Sequence, residues 1–351
     1  MSPPAASHLS RYLAAAYTLL AVYASLHPFT DWRDTGVDPL AFLTASWPRY
    51  YTGFDLVINV AAYLPLGFLW VPVLQPRLGR IGAVVIAILC GACFSLAMET
   101  LQNYLPSRVP SNVDLGCNAL GTLFGALAGA RWGGQLLDGG RLHALRNRTV
   151  LQGAMGDAGL LLLALWLLTQ LTPETLLFGN GDIRGYLGLP AVLPYSAGGF
   201  ANIEAAVVCA DTLAVLLLAT RLERRSLYAP ILALVLLALA IKSFVLALSL
   251  GLSHGFAWTT PGGVAGLGAG LALWLLTTLL PARLQQALAA LALLLATVLV
   301  NLAPDNPYSA NTWQTWNPGQ FLNFHGATKL TSTLWPYLAL PWLMMLRTER
   351  K

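Results

Sequence analysis

Long apolar runs constrain this chain more than any other feature. From the N-terminal region almost to the C-terminus, stretches of roughly 17–22 apolar residues alternate with short segments rich in Pro, Gly and charge. Each stretch is long enough to cross a hydrocarbon core about 30 Å thick. In lipid the backbone must satisfy its own hydrogen bonds, and an unbroken apolar run does so as a helix. The residue-by-residue alternation of a membrane β-barrel is absent. Charged residues make up 10% of the chain, far below the roughly 25% of a soluble globular protein, so a soluble fold is excluded. The expected fold is therefore all-α, a polytopic α-helical membrane protein with about ten transmembrane helices. The spans are expected at residues 11–28, 56–73, 81–103, 114–130, 155–171, 203–220, 229–250, 263–280, 284–302 and 332–346. Pro-rich boundaries such as Leu105-Pro106 and Pro304 to Pro307 stop the helices.

Lys and Arg set the expected orientation. With the N-terminus inside, 14 of the 20 fall in cytoplasmic segments, 5 in outer loops, and Lys242 lies within a span. Both termini are then cytoplasmic, in a multi-pass protein of the bacterial inner membrane. Residues 11–28 have the length of a signal peptide but read as a retained first anchor. The net charge of +5 is an orientation signal, because no basic face with a nucleic-acid-binding fold accompanies it. Cys90, Cys93, Cys117 and Cys209 all fall in spans and read as small apolar filler. No ligand spacing such as His-x3-His is present, so neither a metal nor a cofactor is expected.

The chain reads as two copies of a four-helix unit. Span one ends in Leu26-His27-Pro28-Phe29 and span five in Leu171-Thr172-Pro173-Glu174. Gly121, Gly125 and Gly129 of span four have counterparts in Gly262, Gly266 and Gly270 of span eight. Small residues four apart let helix backbones approach closely in a membrane. Four helices per copy predict two degenerate parallel repeats, with two C-terminal helices added. The corresponding divisions are residues 1–150, 151–283 and 284–351.

The residues most able to carry chemistry lie in the first copy. Asp55 and Asn59 open span two, Glu99 and Gln102 close span three, Arg108 lies in the following loop, and Asp114 and Asn118 open span four. The i,i+4 and i,i+3 spacings put each pair on one helix face, and the chain trace puts all of them near the outer membrane surface. Intramembrane polar groups are costly and mark function. Structural roles compete for single residues: Asp114 and Asp55 as helix caps, Arg108 as a loop-fixing partner of Asp114. Between Ser243 and Leu280 the second copy has no Asp, Glu, Asn, Gln or Arg, so the fold itself does not require the set. The first half is expected to hold the working site and the second to be a scaffold.

The run Asp55-x3-Asn59-x5-Pro65-Leu66-Gly67-Phe68, followed by Glu99-x2-Gln102-x3-Pro106-x-Arg108-x5-Asp114-x3-Asn118-x2-Gly121, resembles the VanZ-like membrane proteins over about residues 11–171. The resemblance implies a cell-envelope role, with links to glycopeptide (teicoplanin) resistance and surface polysaccharide, and no defined reaction. Two readings stay open. In the first, Asp55, Asn59, Glu99, Gln102, Arg108, Asp114 and Asn118 bind or help translocate an amphipathic envelope molecule: a lipid-linked sugar, a phospholipid or a glycopeptide. In the second, Glu99, Asp114 or Asp55 perform general acid/base catalysis on a lipid-linked substrate, with Arg108 stabilising developing charge. A membrane lipid or lipid-linked glycan is the expected partner, and nucleic acid is not. The oligomeric state is left open. Asp211 and Lys242 lie at matching depth and are expected to form a buried ion pair. Trp313 and Trp316, in a loop with Asn and Gln, suit either interface anchoring or stacking on sugars.

Overall fold

The computed structural model describes residues 9–27, 29–47, 53–138, 144, 146, 148–223, 228–307 and 322–346, with backbone alone at 53–55, 58, 248, 249 and 322–325. Among these residues the chain is helical, and a single antiparallel bridge joins Val150 and Glu223. The helices are α1 (Leu9–Leu26), α2 (Gly53–Gln102), α3 (Asn112–Ala128), α4 (Ala154–Thr169), α5 (Ala197–Leu222), α6 (Tyr228–Leu250), α7 (Pro261–Thr277), α8 (Ala282–Leu302) and α9 (Leu322–Met345). A π-helical segment, Gly129–Asp138, continues α3, and one helical turn, Ile183–Tyr186, precedes α5. Length and hydropathy single out five candidate membrane-spanning helices: Asn59–Gln102, Asn112–Leu136, Ala197–Leu222, Tyr228–Ala247 and Ala282–Leu302. Two shorter apolar helices, Ala154–Thr169 and Pro261–Thr277, accompany them.

The chain divides into two compact units. Unit 1 is Met1–Arg148, Gln152–Asp157 and Gln320–Ala327; unit 2 is Thr149–Leu151, Ala158–Gly319 and Thr328–Lys351.

In unit 1, α2 breaks at Gly79, whose φ of 69° is open to glycine and costly for other residues. The break gives two limbs that pack side by side. Val71 of the first limb clusters with Ala83 and Ala87 of the second and with Ala126 of α3, all buried. Tyr63 and Phe94 repeat the contact nearer the other end, with ring centroids 6.0 Å apart. The α3 glycines face the first limb so closely that a Cβ at Gly121, Gly125 or Gly129 would strike the carbonyl oxygens of Val60, Leu64 and Phe68. Close backbone approach supplies the packing that hydrophobicity cannot drive in lipid. α1 lies on the same limb, where Tyr17 Oη donates to Ala62 O at 2.7 Å and Trp70 Nε1 donates to Thr18 Oγ1 at 3.1 Å.

In unit 2, α5 is the central helix, with most of its side chains buried. The α7 glycines approach it as the α3 row approaches α2: Gly262, Gly266 and Gly270 face the carbonyls of Ala201, Ala205 and Cys209. The sequence separation between glycine and carbonyl is the same in all six contacts. Trp274 Nε1 ties the far end of α7 to Thr220 Oγ1 of α5 at 2.8 Å.

Candidate functional site

The start of α3 organises the polar residues of unit 1. Ser111 is extended (φ −138°, ψ 130°), and its Oγ accepts from Val113 N and Asp114 N at 3.2 and 3.3 Å, an N-cap that satisfies two otherwise orphaned donors. The backbone N–H of Ser111 in turn donates to Glu99 Oε2 at 2.8 Å. Glu99, in the last turn of α2, thus pins the α3 terminus to the second limb. Asp114 Oδ1 accepts from Asn59 Nδ2 of the first limb at 2.7 Å. One turn deeper, Asn118 Nδ2 donates to Ser95 Oγ at 2.9 Å. Three helical segments therefore aim Asn59, Glu99, Asp114 and Asn118 of the expected set at one region, together with Ser95, which the spacing did not single out.

The region is shielded and rich in acceptors. Glu99 and Asn118 are 4% and 5% exposed, and Ser95 is fully buried. Asn118 Oδ1 is buried with no hydrogen-bond partner among the described residues. Such an acceptor carries a desolvation cost of about 1–3 kcal/mol until a donor reaches it. Ser111 thus links the two acidic residues: its N–H donates to the Glu99 carboxylate, and its Oγ accepts from the Asp114 backbone N–H.

Arg108 and Gln102 turn elsewhere. Gln102 Nε2 donates to Ser25 O at 2.9 Å, and Arg108 Nη2 donates to His27 O. Both serve the carbonyls at the end of α1, which have no partner within that helix and carry the negative end of its dipole. Arg108 does not pair with Asp114, the structural role that its loop position suggested. Burial pulls Arg108 down from its usual value, although a guanidinium stays charged at any ordinary pH. Its Nε is buried without a partner among the described residues. The Asp55 side chain lies outside the described residues, and so do Trp313 and Trp316.

The sequence comparison finds a family model that matches part of the chain. Residues 5–132 match the model of the VanZ/LLP1 family. The VanZ-like segment contains every residue of the cluster and ends within the π-helical continuation of α3, short of the endpoint near 171 suggested by the motifs. No curated protein and no solved structure matches the chain.

Unit 2 corrects one expectation and adds a feature that the sequence reading missed. Asp211 and Lys242 do not form an ion pair. Lys242 Nζ donates to Thr172 O, Thr175 O and Thr175 Oγ1 at 2.7, 2.8 and 3.1 Å, while Asp211 Oδ2 accepts from Asn180 N at 3.4 Å. The ion pairs among the described residues are Arg146–Asp157 and Arg184–Asp305. Equal depth places two side chains at one level but says nothing of the direction each faces around its helix. The carbonyls following α4 offered Lys242 acceptors within reach. The missed feature is Glu204, 3% exposed, whose Oε1 accepts from Thr260 Oγ1 at 2.6 Å. Thr260 also caps α7 by accepting from Gly263 N at 2.9 Å. The signal was present as an acid near the start of a span and a Thr-Pro-Gly-Gly cap before another.

Among the described residues no group of three or more His, Cys, Asp or Glu is arranged to hold a metal ion.

Proposed function

We propose that this chain is a multi-pass protein of the bacterial inner membrane, with both termini cytoplasmic, that holds the polar part of an amphipathic envelope molecule in the unit 1 cluster. The ligand class is a lipid-linked sugar, a phospholipid or a glycopeptide, and the bound state helps to sequester or move that molecule. The observation that carries this reading is the convergence of part-buried Asn59 and Asp114 on buried Glu99 and Asn118, with the Asn118 carbonyl lacking a donor among the described residues. The Glu99 carboxylate and the Asn118 amide oxygen are acceptors, which suits hydroxyl or ammonium groups on the ligand. Arg108, with a buried Nε, stands beside the α1 terminus for a phosphate or carboxylate. Effects on glycopeptide resistance or surface polysaccharide follow as consequences of handling such a ligand.

The same reading takes the ten helical stretches as ten crossings and the two halves as degenerate copies. Two observations support the copies. The glycine rows of α3 and α7 meet their partner helices at one sequence separation. A cation also reaches the carbonyl before Pro in each half, Arg108 on His27 and Lys242 on Thr172.

One observation favours the enzymatic alternative. Glu99, bonded to Ser111 N, and Asp114, whose N–H is capped by Ser111 Oγ and whose carboxylate accepts from Asn59, are two acids joined through one capping residue, the kind of set that acid/base chemistry uses. Glu99→Gln separates the two readings, because it keeps the shape and the bond to Ser111 but cannot transfer a proton. Under the binding reading the variant retains ligand, measured by native mass spectrometry, and retains the cellular phenotype. Retained ligand with an abolished phenotype would select the enzyme instead.

A further inference from the structure

Unit 2, expected to be scaffold, contains a cavity of about 240 Å³ whose lining residues all belong to that unit. Its walls come from the segment after α4, the turn before α5, the end of α8 and the early part of α9. This volume lies below the roughly 300–1,000 Å³ of drug-sized sites, so it takes a head group or small molecule. Two cations line it, Arg184 and Lys329. Arg184 is 10% exposed and donates from Nη1 to Asp305 Oδ1 at 2.9 Å and Leu189 O at 3.2 Å. Its Nε is buried with no partner among the described residues. A planar guanidinium with one donor unmet matches the spaced oxygens of a phosphate.

The lining is not purely cationic. Glu174 shares it, with the hydroxyls of Thr175 and Ser332. Asp182, also in the wall, is committed as a cap, accepting from Gly185 N at 2.7 Å. Two buried ionisable side chains, neither of them in the lining, stand behind it. Lys242 is held by Thr172 and Thr175, and Asp211 by Asn180, whose Oδ1 accepts from Ser332 Oγ at 2.9 Å. A simple anion would meet the carboxylate of Glu174, and a simple cation would meet Arg184 and Lys329.

We propose that this cavity is a second binding site, selective for a phosphate–ammonium zwitterion of the phosphoethanolamine type. Arg184 and Lys329 take the phosphate, and Glu174 takes the ammonium. The site does not depend on the unit 1 cluster.

The probe is glycerophosphoethanolamine, titrated by calorimetry into the purified full-length protein, with glycerol phosphate and ethanolamine as single-charge comparisons. The zwitterion binds at least tenfold tighter than either comparison. Arg184→Gln and Lys329→Gln each weaken it at least tenfold, and Glu99→Gln leaves it unchanged. Glu174→Gln shifts preference toward glycerol phosphate. Lys329→Gln keeps the test decisive if Arg184→Gln disturbs folding. Repeating the titration in phosphatidylethanolamine nanodiscs and in phosphatidylglycerol nanodiscs identifies the natural source. Suppression by the former alone assigns the site to a lipid head group, and equal binding in both assigns it to a free molecule. Absence of zwitterion binding, or binding that both cation variants leave intact, overturns the proposal.

Discussion

Replacing Lys242 with Met removes three hydrogen bonds from one buried ammonium, those to Thr172 O, Thr175 O and Thr175 Oγ1. Bonds to a charged donor contribute about 1.5–3 kcal/mol each. The three share one group, and its removal also relieves the cost of burying a charge, so the net loss is roughly 2–4 kcal/mol. Asp211→Asn behaves differently. The amide oxygen still accepts from Asn180 N in a fully buried site, so stability changes by about 1 kcal/mol or less. The double variant should be additive within about 0.5 kcal/mol, because the residues share neither a hydrogen bond nor an ion pair. A buried pair would behave otherwise, with each single variant costing about 3–5 kcal/mol and much of that recovered in the double variant. The assay is reversible unfolding of the purified protein in mixed micelles, followed by Trp fluorescence. A coupling energy of about 3 kcal/mol would refute the assignment of Lys242 to the Thr172 and Thr175 carbonyls.

Three further outcomes follow from packing and capping. Gly125→Ala places a Cβ against the Leu64 carbonyl and should lower the unfolding midpoint, whereas Gly116→Ala, with open space around it, should leave it unchanged or raise it by the equivalent of about 0.5–1 kcal/mol in the same assay. Gly266→Ala and Gly268→Ala should give the same contrast in unit 2. Ser111→Ala should cost about 1 kcal/mol through the lost N-cap, while hydrogen exchange at its own amide stays slow because Glu99 still accepts from it.

How much of this was legible in the sequence depended on the kind of signal. Helices announced themselves through apolar length: the described residues are mostly helical, and five helices are long and apolar enough to cross a membrane. The glycine rows disclosed that α3 and α7 pack closely, because only small residues permit it, but not that their partners are α2 and α5. Asn59, Glu99, Asp114 and Asn118 were readable as a set because i,i+4 spacing fixes a face and short connections fix a level. The partners of Arg108, Gln102 and Lys242 were not readable, since each binds backbone carbonyls, which no residue type marks. Glu204 was not legible because its partner is Thr260, a capping threonine that no spacing connects to it. The unit 2 cavity is assembled from Glu174, Arg184, Asp305 and Lys329, which no local spacing connects.

Everything proposed for unit 1 turns on whether the shielded oxygens of Glu99, Asp114 and Asn118 hold a ligand. The direct measurement is native mass spectrometry of the wild-type protein beside an Asp114→Asn/Asn118→Leu variant, both extracted from the same membranes and matched for helicity by circular dichroism. The wild type should carry one envelope lipid or lipid-linked glycan enriched over its bulk abundance, and the variant should have lost it. Identical bound species at bulk ratios in the two proteins would contradict the account.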